Sequence, residues 1–383
     1  MGKKKKILVM ITHSLGELDV LFPLFAGIKT KYEIDVIMIF AVKKIFHQYE
    51  SNDFYLYCAR ELNIEVISCQ LPNKFDYVDS RINNYVIGRL FLNYYFKILL
   101  ITKLPFLLIK FIQSGTYMHE ISNQHSSTRP LYWAKLIFKK KIIIYSHAHS
   151  ATPDTRTIGE KSNYSEFLSL VFSENDKKFF SDLGYYNQYI IGYPKSYIEW
   201  SSMVMKYDKN QFVNQKTALI FTRHVHDYFM DLDVYEFLLS SCCKVIRKKM
   251  GNIPIVIKPH PREKVITINK ILLKYGINNF FISHEDSSVL SLNAEIAISF
   301  WTSAILSSLM MGVPSIEYYI EAKRFREREP EGSAYKKLGI DSTDNSEMLE
   351  HFIDEVLNGE YQIPPIIHEL KKKKYIDFLN LLN

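Results

Sequence analysis

The sequence is poor in the elements that would announce a chemistry. Only four cysteines (Cys58, Cys69, Cys242 and Cys243) occur in 383 residues, and none forms a C-x-x-C pair. That number excludes a disulfide framework and points to a reducing, cytoplasmic setting. No G-x-x-x-x-G-K-[ST] loop, dinucleotide G-x-G-x-x-G, G-x-S-x-G or H-E-x-x-H is present. The best-known phosphate, dinucleotide, serine-nucleophile and zinc-protease signatures are therefore all missing. There is no internal repeat, low-complexity block or heptad array. An uninterrupted apolar run of membrane-spanning length is also lacking. Residues 86–113 are rich in aliphatic and aromatic side chains, but Lys97, Lys103 and Lys110 punctuate them and Pro105 breaks them. This stretch reads either as a buried helix pair or as a basic, aromatic helix at the inner membrane interface. After the opening lysines the apolar run is too short for a secretory signal, so a first strand behind a solvated basic tag is expected.

What is present describes a folded α/β chain. Hydrophobic residues make up 47% and charged residues 23%, which separates the sequence from disordered ones. The length suits two domains of ordinary size. A formal charge of +7 suggests an anionic partner, and nucleotide-sugars, phosphorylated lipids, anionic membranes and nucleic acids all satisfy it. Short apolar runs alternate with helical patterns, as in a parallel sheet with crossover helices. Strands are expected near 6–11, 34–40, 64–68, 116–120, 140–145 and 168–172. A chain exit follows at 189–200, where Gly192 and Pro194 stand. A second series is expected at 218–222, 253–258, 278–283, 294–299 and 314–318, with helices at 232–249 and 302–311. The reading is therefore two Rossmann-like α/β domains, residues 1–195 and 196–383, facing across a cleft, with function carried by the loops after strands.

Several such loops carry candidate chemistry. Lys258-Pro259-His260-Pro261-Arg262 follows a strand directly, and its two prolines fix the backbone around one imidazole. Lys258 and Arg262 supply charge for a phosphate, while His260 is placed to donate a hydrogen bond to it or to protonate it as it leaves. Thr302 and Ser303 fall at a predicted helix start, suited either to an anion or to ordinary capping. Gly312 and Pro314 then end that helix. After the first strand, Gly16 permits a sharp turn and Glu17 begins a helix, as a general base or as ordinary dipole chemistry, with Asp19 its local rival. His147 and His149 follow one strand, and Arg223, His224 and His226 follow another. Spacing by two puts paired rings on one side of an extended chain, suited to hydrogen bonding in a cleft. Asp227 is adjacent, but no convincing third metal ligand is visible. Arg223 is a phosphate candidate. Asp231-Leu232-Asp233 matches the bare D-x-D pattern of metal-dependent glycosyltransferases, at a helix start where acids are expected anyway.

The order of a Gly-Glu loop, an IGYP exit, a His-Pro turn and a Ser/Thr-led helix ending in GVP resembles bacterial surface-polysaccharide glycosyltransferases of GT-B architecture. It is most similar to the cytidine-nucleotide group, which comprises CMP-sialic acid and CMP-Kdo transferases and CDP-glycerol glycerophosphotransferases. The resemblance implies transfer of a sugar or glycerol phosphate to a glycan or lipid-linked glycan at the cytosolic membrane face. It also implies a metal-independent enzyme with no cofactor beyond the activated donor. It further implies that His260, Thr302 and Ser303 bind the donor phosphate and that Glu17 is the base. Two other readings stand beside it. One is a UDP-sugar enzyme of the same fold, either a transferase or a UDP-GlcNAc 2-epimerase, although the latter usually has a glycine-rich, acidic loop where this chain has FWTSAIL. The other is a noncatalytic basic protein binding membrane or nucleic acid, which the scatter of lysines among acids disfavours.

Overall fold

Runs of β-branched residues with apolar side chains on both faces call for a sheet covered on both sides, and the chain builds two of them. The computed structural model describes residues 5–11, 14–71, 109–110, 112–120, 140–146, 167–182, 184–207, 212, 215–226, 230–328 and 332–371. The described residues divide into two units between Glu199 and Trp200. In the first unit the strands are β1 (Lys5–Ile11), β2 (Ile34–Val42), β3 (Ile64–Leu71), β4 (Thr116–Glu120), β5 (Lys141–Tyr145), β6 (Leu168–Val171) and β7 (Gln188–Ile190). They form one sheet in the order β3-β2-β1-β4-β5-β6-β7. In the second unit β8 (Thr217–Phe221), β9 (Ile255–Lys258), β10 (Phe280–Ile282), β11 (Ala294–Ser299), β12 (Ser315–Tyr318) and β13 (Ser342–Thr343) follow the order β10-β9-β8-β11-β12-β13. The strand pairs of both sheets are parallel.

Burial explains why these segments became strands and helices. Ile7 to Ile11 of β1 are buried on both faces, as are all five residues of β8. The helix Leu18–Lys29 is buried nearly all round, Val20, Leu24 and Ala26 as well as Leu21, Phe22, Phe25 and Ile28, the mark of a helix inside the core rather than on its surface. Each of the larger side chains removed from water contributes about 1.5–3 kcal/mol. The order in which strands are added reverses at one point in each sheet, between β1 and β4 in the first and between β8 and β11 in the second. Loops diverge there, which opens a crevice beyond the carboxyl ends of the strands.

Some boundaries differ from expectation. The helix predicted at 302–311 runs from Ala304 to Met310, and the chain reverses just ahead of it at Trp301, whose φ is +57°. The sheet gains the short strand β13, and the helix Ser346–Asn358 follows it, capped by Asn345 and ended by Gly359 at φ +75°. Most of residues 86–113 lies outside the described residues. Among the described residues, no helix is long and apolar enough to cross a membrane.

The D-x-D match is a helix cap. Asp231 precedes the helix Leu232–Met250, and its carboxylate accepts the Val234 N–H at 2.8 Å. Asp231→Ala is expected to cost about 1 kcal/mol in urea unfolding. Asp233→Ala should stay within about 0.5 kcal/mol. Equal effects of the two substitutions, appearing only with divalent cations, would restore the metal reading.

Candidate functional site

The second unit's switch point is built by joining two strand ends. Phe221 of β8 sits beside Lys258 of β9, and the pairing runs one residue further as the Thr222 N–H donates to the Lys258 carbonyl at 3.2 Å. Beyond that, Glu263 takes over. Its Oε2 accepts the Thr222 hydroxyl at 2.6 Å and the backbone N–H of His260, while its own N–H donates to the His260 carbonyl at 2.8 Å. Burial raises the Glu263 carboxyl above its ordinary range, opposed by these hydrogen bonds and by Arg223. With Pro259 and Pro261 on either side, the His260 backbone is held at both ends.

That geometry sets the protonation of the ring. The Arg262 N–H donates to His260 Nδ1 at 3.2 Å, so Nδ1 is an acceptor and the proton of the neutral ring sits on Nε2. His224, 9% exposed, lies against it with ring centroids 4.6 Å apart and planes at 33°. His226 approaches His224 at 5.8 Å. Arg223 places its guanidinium 4.7 Å above the Trp301 ring, linking the loop after β8 to the loop after β11 across the switch point.

These neighbours act together on charge. Burial pushes His260 down to about 2, assisted by Arg223, His224, Arg262 and Lys258. Burial, Arg223, Arg262 and His226 push His224 down to about 4. The site thus holds two neutral imidazoles among fixed cations and offers donors and positive potential to an anion. An arriving anion would oppose the repulsion that, after burial, helps keep the rings unprotonated.

The other predicted residues fall in different places. Arg262 is exposed beside the His260 ring. Lys258 turns away, its Nζ donating to the Glu285 carbonyl at 2.6 Å and reaching His284 at 3.5 Å, so its charge acts on the site from a distance. Thr302 and Ser303 are half-buried beside Trp301. The Thr302 hydroxyl accepts from the Ala304 N–H at 3.5 Å, and Ser303 makes no side-chain cap. In the first unit Glu17 is fully buried. It completes a capping box with Ser14 and accepts the Tyr145 hydroxyl at 2.9 Å. Asp19 accepts from Tyr55 Oη at 3.0 Å and from the buried Lys195 at 3.3 Å. His147, His149 and Asp227 lie outside the described residues. Among the described residues, no group of three His, Cys, Asp or Glu side chains is placed to hold a metal ion.

Three participants were not anticipated from sequence: Thr222, Glu263 and Trp301. Glu263 had one local signal, an acid three residues after the histidine whose N–H it accepts. Trp301 had none, since nothing in FWTSAIL shows a positive φ.

With this geometry in place, comparison defines the class of architecture. The chain has two parallel-sheet α/β units of GT-B-like fold. Its structural neighbours include UDP-GlcNAc 2-epimerase from Methanocaldococcus jannaschii, at TM-score 0.59 and 13% identity over 98% of this chain and 99% of that one. HepE from Anabaena, solved with UDP and glucose, matches at TM-score 0.54 and 10% identity over 96% and 94%. The glycosyltransferase of kitacinnamycin matches at TM-score 0.52 and 11% identity over 100% of both chains. No protein-family model matches the sequence. No curated protein matches it significantly.

The depressed histidines make the unit acid-sensitive in a defined window. Unfolded histidine titrates near 6.5, so between that value and the folded values of about 4 and about 2 the unfolded chain binds more protons. The neutral rings' contribution is complete above about pH 6.5 and is lost as the pH falls. His260→Asn is expected to flatten the fall in unfolding free energy between about pH 6.5 and 4.5, read by urea melts at stepped pH. A variant slope equal to wild type would refute the neutral ring.

Proposed function

We propose that the chain is a nucleotide-sugar-dependent glycosyltransferase of GT-B architecture, and that the strand ends of its second unit take the phosphates of a uridine diphosphate donor. The observation that carries this reading is the neutral His260. Its Nδ1 is occupied by the Arg262 N–H, which leaves Nε2–H as a donor amid the charges of Arg223 and Arg262. A group held near 2 does not protonate a leaving phosphate in the free protein; it donates a hydrogen bond to it. As the sugar leaves and the diphosphate gains charge, that bond strengthens and the ring becomes easier to protonate. Arg223 and Arg262 offset the same developing charge, and Thr302 and Ser303 lie on the facing loop.

The nucleotide in this proposal differs from the one that the sequence resemblance favours. The sequence resemblance favoured cytidine, whereas the nucleotide named in the solved neighbours is uridine diphosphate. Examples are the M. jannaschii epimerase with UDP-GlcNAc and UDP, and Staphylococcus aureus MnaA with UDP. A surface-glycan acceptor follows from the resemblance and is part of the proposal. An epimerase is the second reading, favoured by those same neighbours. Against it stands Trp301-Thr302-Ser303, where a glycine-rich, acidic loop is usual.

Calorimetry with UDP, CDP and CMP should show UDP binding tightest, and tighter binding of either cytidine nucleotide would return the donor to that group. His260→Ala is expected to lower turnover by about 10²–10³-fold, with an unchanged far-ultraviolet spectrum. Incubation with UDP-GlcNAc in D₂O without acceptor separates the two enzyme readings, because an epimerase incorporates deuterium at C2 and a transferase does not.

A further inference from the structure

Trp301 adopts a costly conformation. A bulky side chain at φ +57° is strained and persists only where its surroundings impose it. The surroundings here are aromatic. Tyr319 stacks on the indole at 5.8 Å with planes at 18°, and Phe325 meets it edge-on at 5.1 Å. Phe325 also meets Tyr319 at 6.1 Å, so the three rings brace one another. The indole is 1% exposed. One neighbour in this cage is a cation, Arg223, whose guanidinium lies 4.7 Å from the ring centroid. Arg223 comes from the loop after β8, next to His224, and the same loop is tied to His260 through Thr222 and Glu263.

The left-handed turn at Trp301 therefore brings a braced aromatic face to an arginine that crosses the switch point. A guanidinium stacked on an aromatic plane keeps its edge for in-plane, two-pronged hydrogen bonds, the geometry suited to a diphosphate. We propose that Trp301 is a positioning residue, its indole holding the Arg223 guanidinium edge-on to the donor's diphosphate. This inference rests on the diphosphate reading of the site and adds a residue that acts only through Arg223.

The test is titration calorimetry of the full chain with UDP, uridine and inorganic pyrophosphate as probes. Trp301→Leu is expected to weaken UDP binding about tenfold and leave uridine binding unchanged, because the lost interaction acts on phosphate alone. Trp301→Phe keeps an aromatic face and should lose about threefold or less. Equal UDP affinity in Trp301→Leu and wild type would overturn the inference, as would a matched loss for UDP and uridine, or Trp301→Phe behaving like Trp301→Leu. If Trp301→Leu does not fold, Arg223→Lys decides: it keeps the charge but loses the plane, so the expected loss is again about tenfold, and wild-type affinity would refute the platform. A wild-type chain that binds neither UDP nor inorganic pyrophosphate removes the functional reading and this inference with it. Binding in wild type with no effect of any variant removes the inference alone.

Discussion

One carboxylate oxygen of Glu263 receives both the Thr222 hydroxyl and the His260 N–H, and the geometry of the second unit's switch point depends on that join. Parallel strands hold each other only as far as their ladder runs, and β8 and β9 diverge after Phe221 and Lys258. Glu263 extends the ladder with a side chain. Each donor it satisfies would otherwise be buried unpaired at about 1–3 kcal/mol. Because the two loops are joined, His260 is buried with Arg223 and His224 beside it, and burial first and these neighbours second lower its proton affinity.

The consequence is a site that is positive without being charged at its centre. Fixed guanidinium groups supply long-range attraction, and uncharged rings supply directed donors. A protonated ring among these arginines would add repulsion to the folded state. A neutral one costs less when the site is empty and still responds when an anion arrives. The electrostatic design is therefore carried by the second unit's own loops.

Much of the fold was legible because both-face burial leaves a plain mark. Runs such as IDVIMIF, ALIF and AEIAIS have few alternatives as strands, and each lies in its sheet where expected. The helix starts two residues later than expected, and the reversal at Trp301 ahead of it is a backbone property without a residue signature. At the site, His260 and Arg223 were legible from chain position, one after a strand between two prolines and the other after the strand that opens the second unit. Glu263 and Thr222 were not, since their bond spans 41 residues and exists only once β8 and β9 are neighbours. Lys258 shows the opposite limit. Its charge was legible but its direction was not, because the carbonyls that hold it come from the loop after β10.

Among the described residues, three other than glycine have positive φ: Asn63, Asn279 and Trp301. Asparagine tolerates that region and needs no account. Tryptophan does not, yet its indole is buried against Tyr319, Phe325 and Arg223, so a backbone cost of about 1–3 kcal/mol stands against a packing loss of about 3–5 kcal/mol were the ring removed. Glycine or asparagine at position 301 would relieve the backbone and empty the cage, so the turn and the ring hold each other in place.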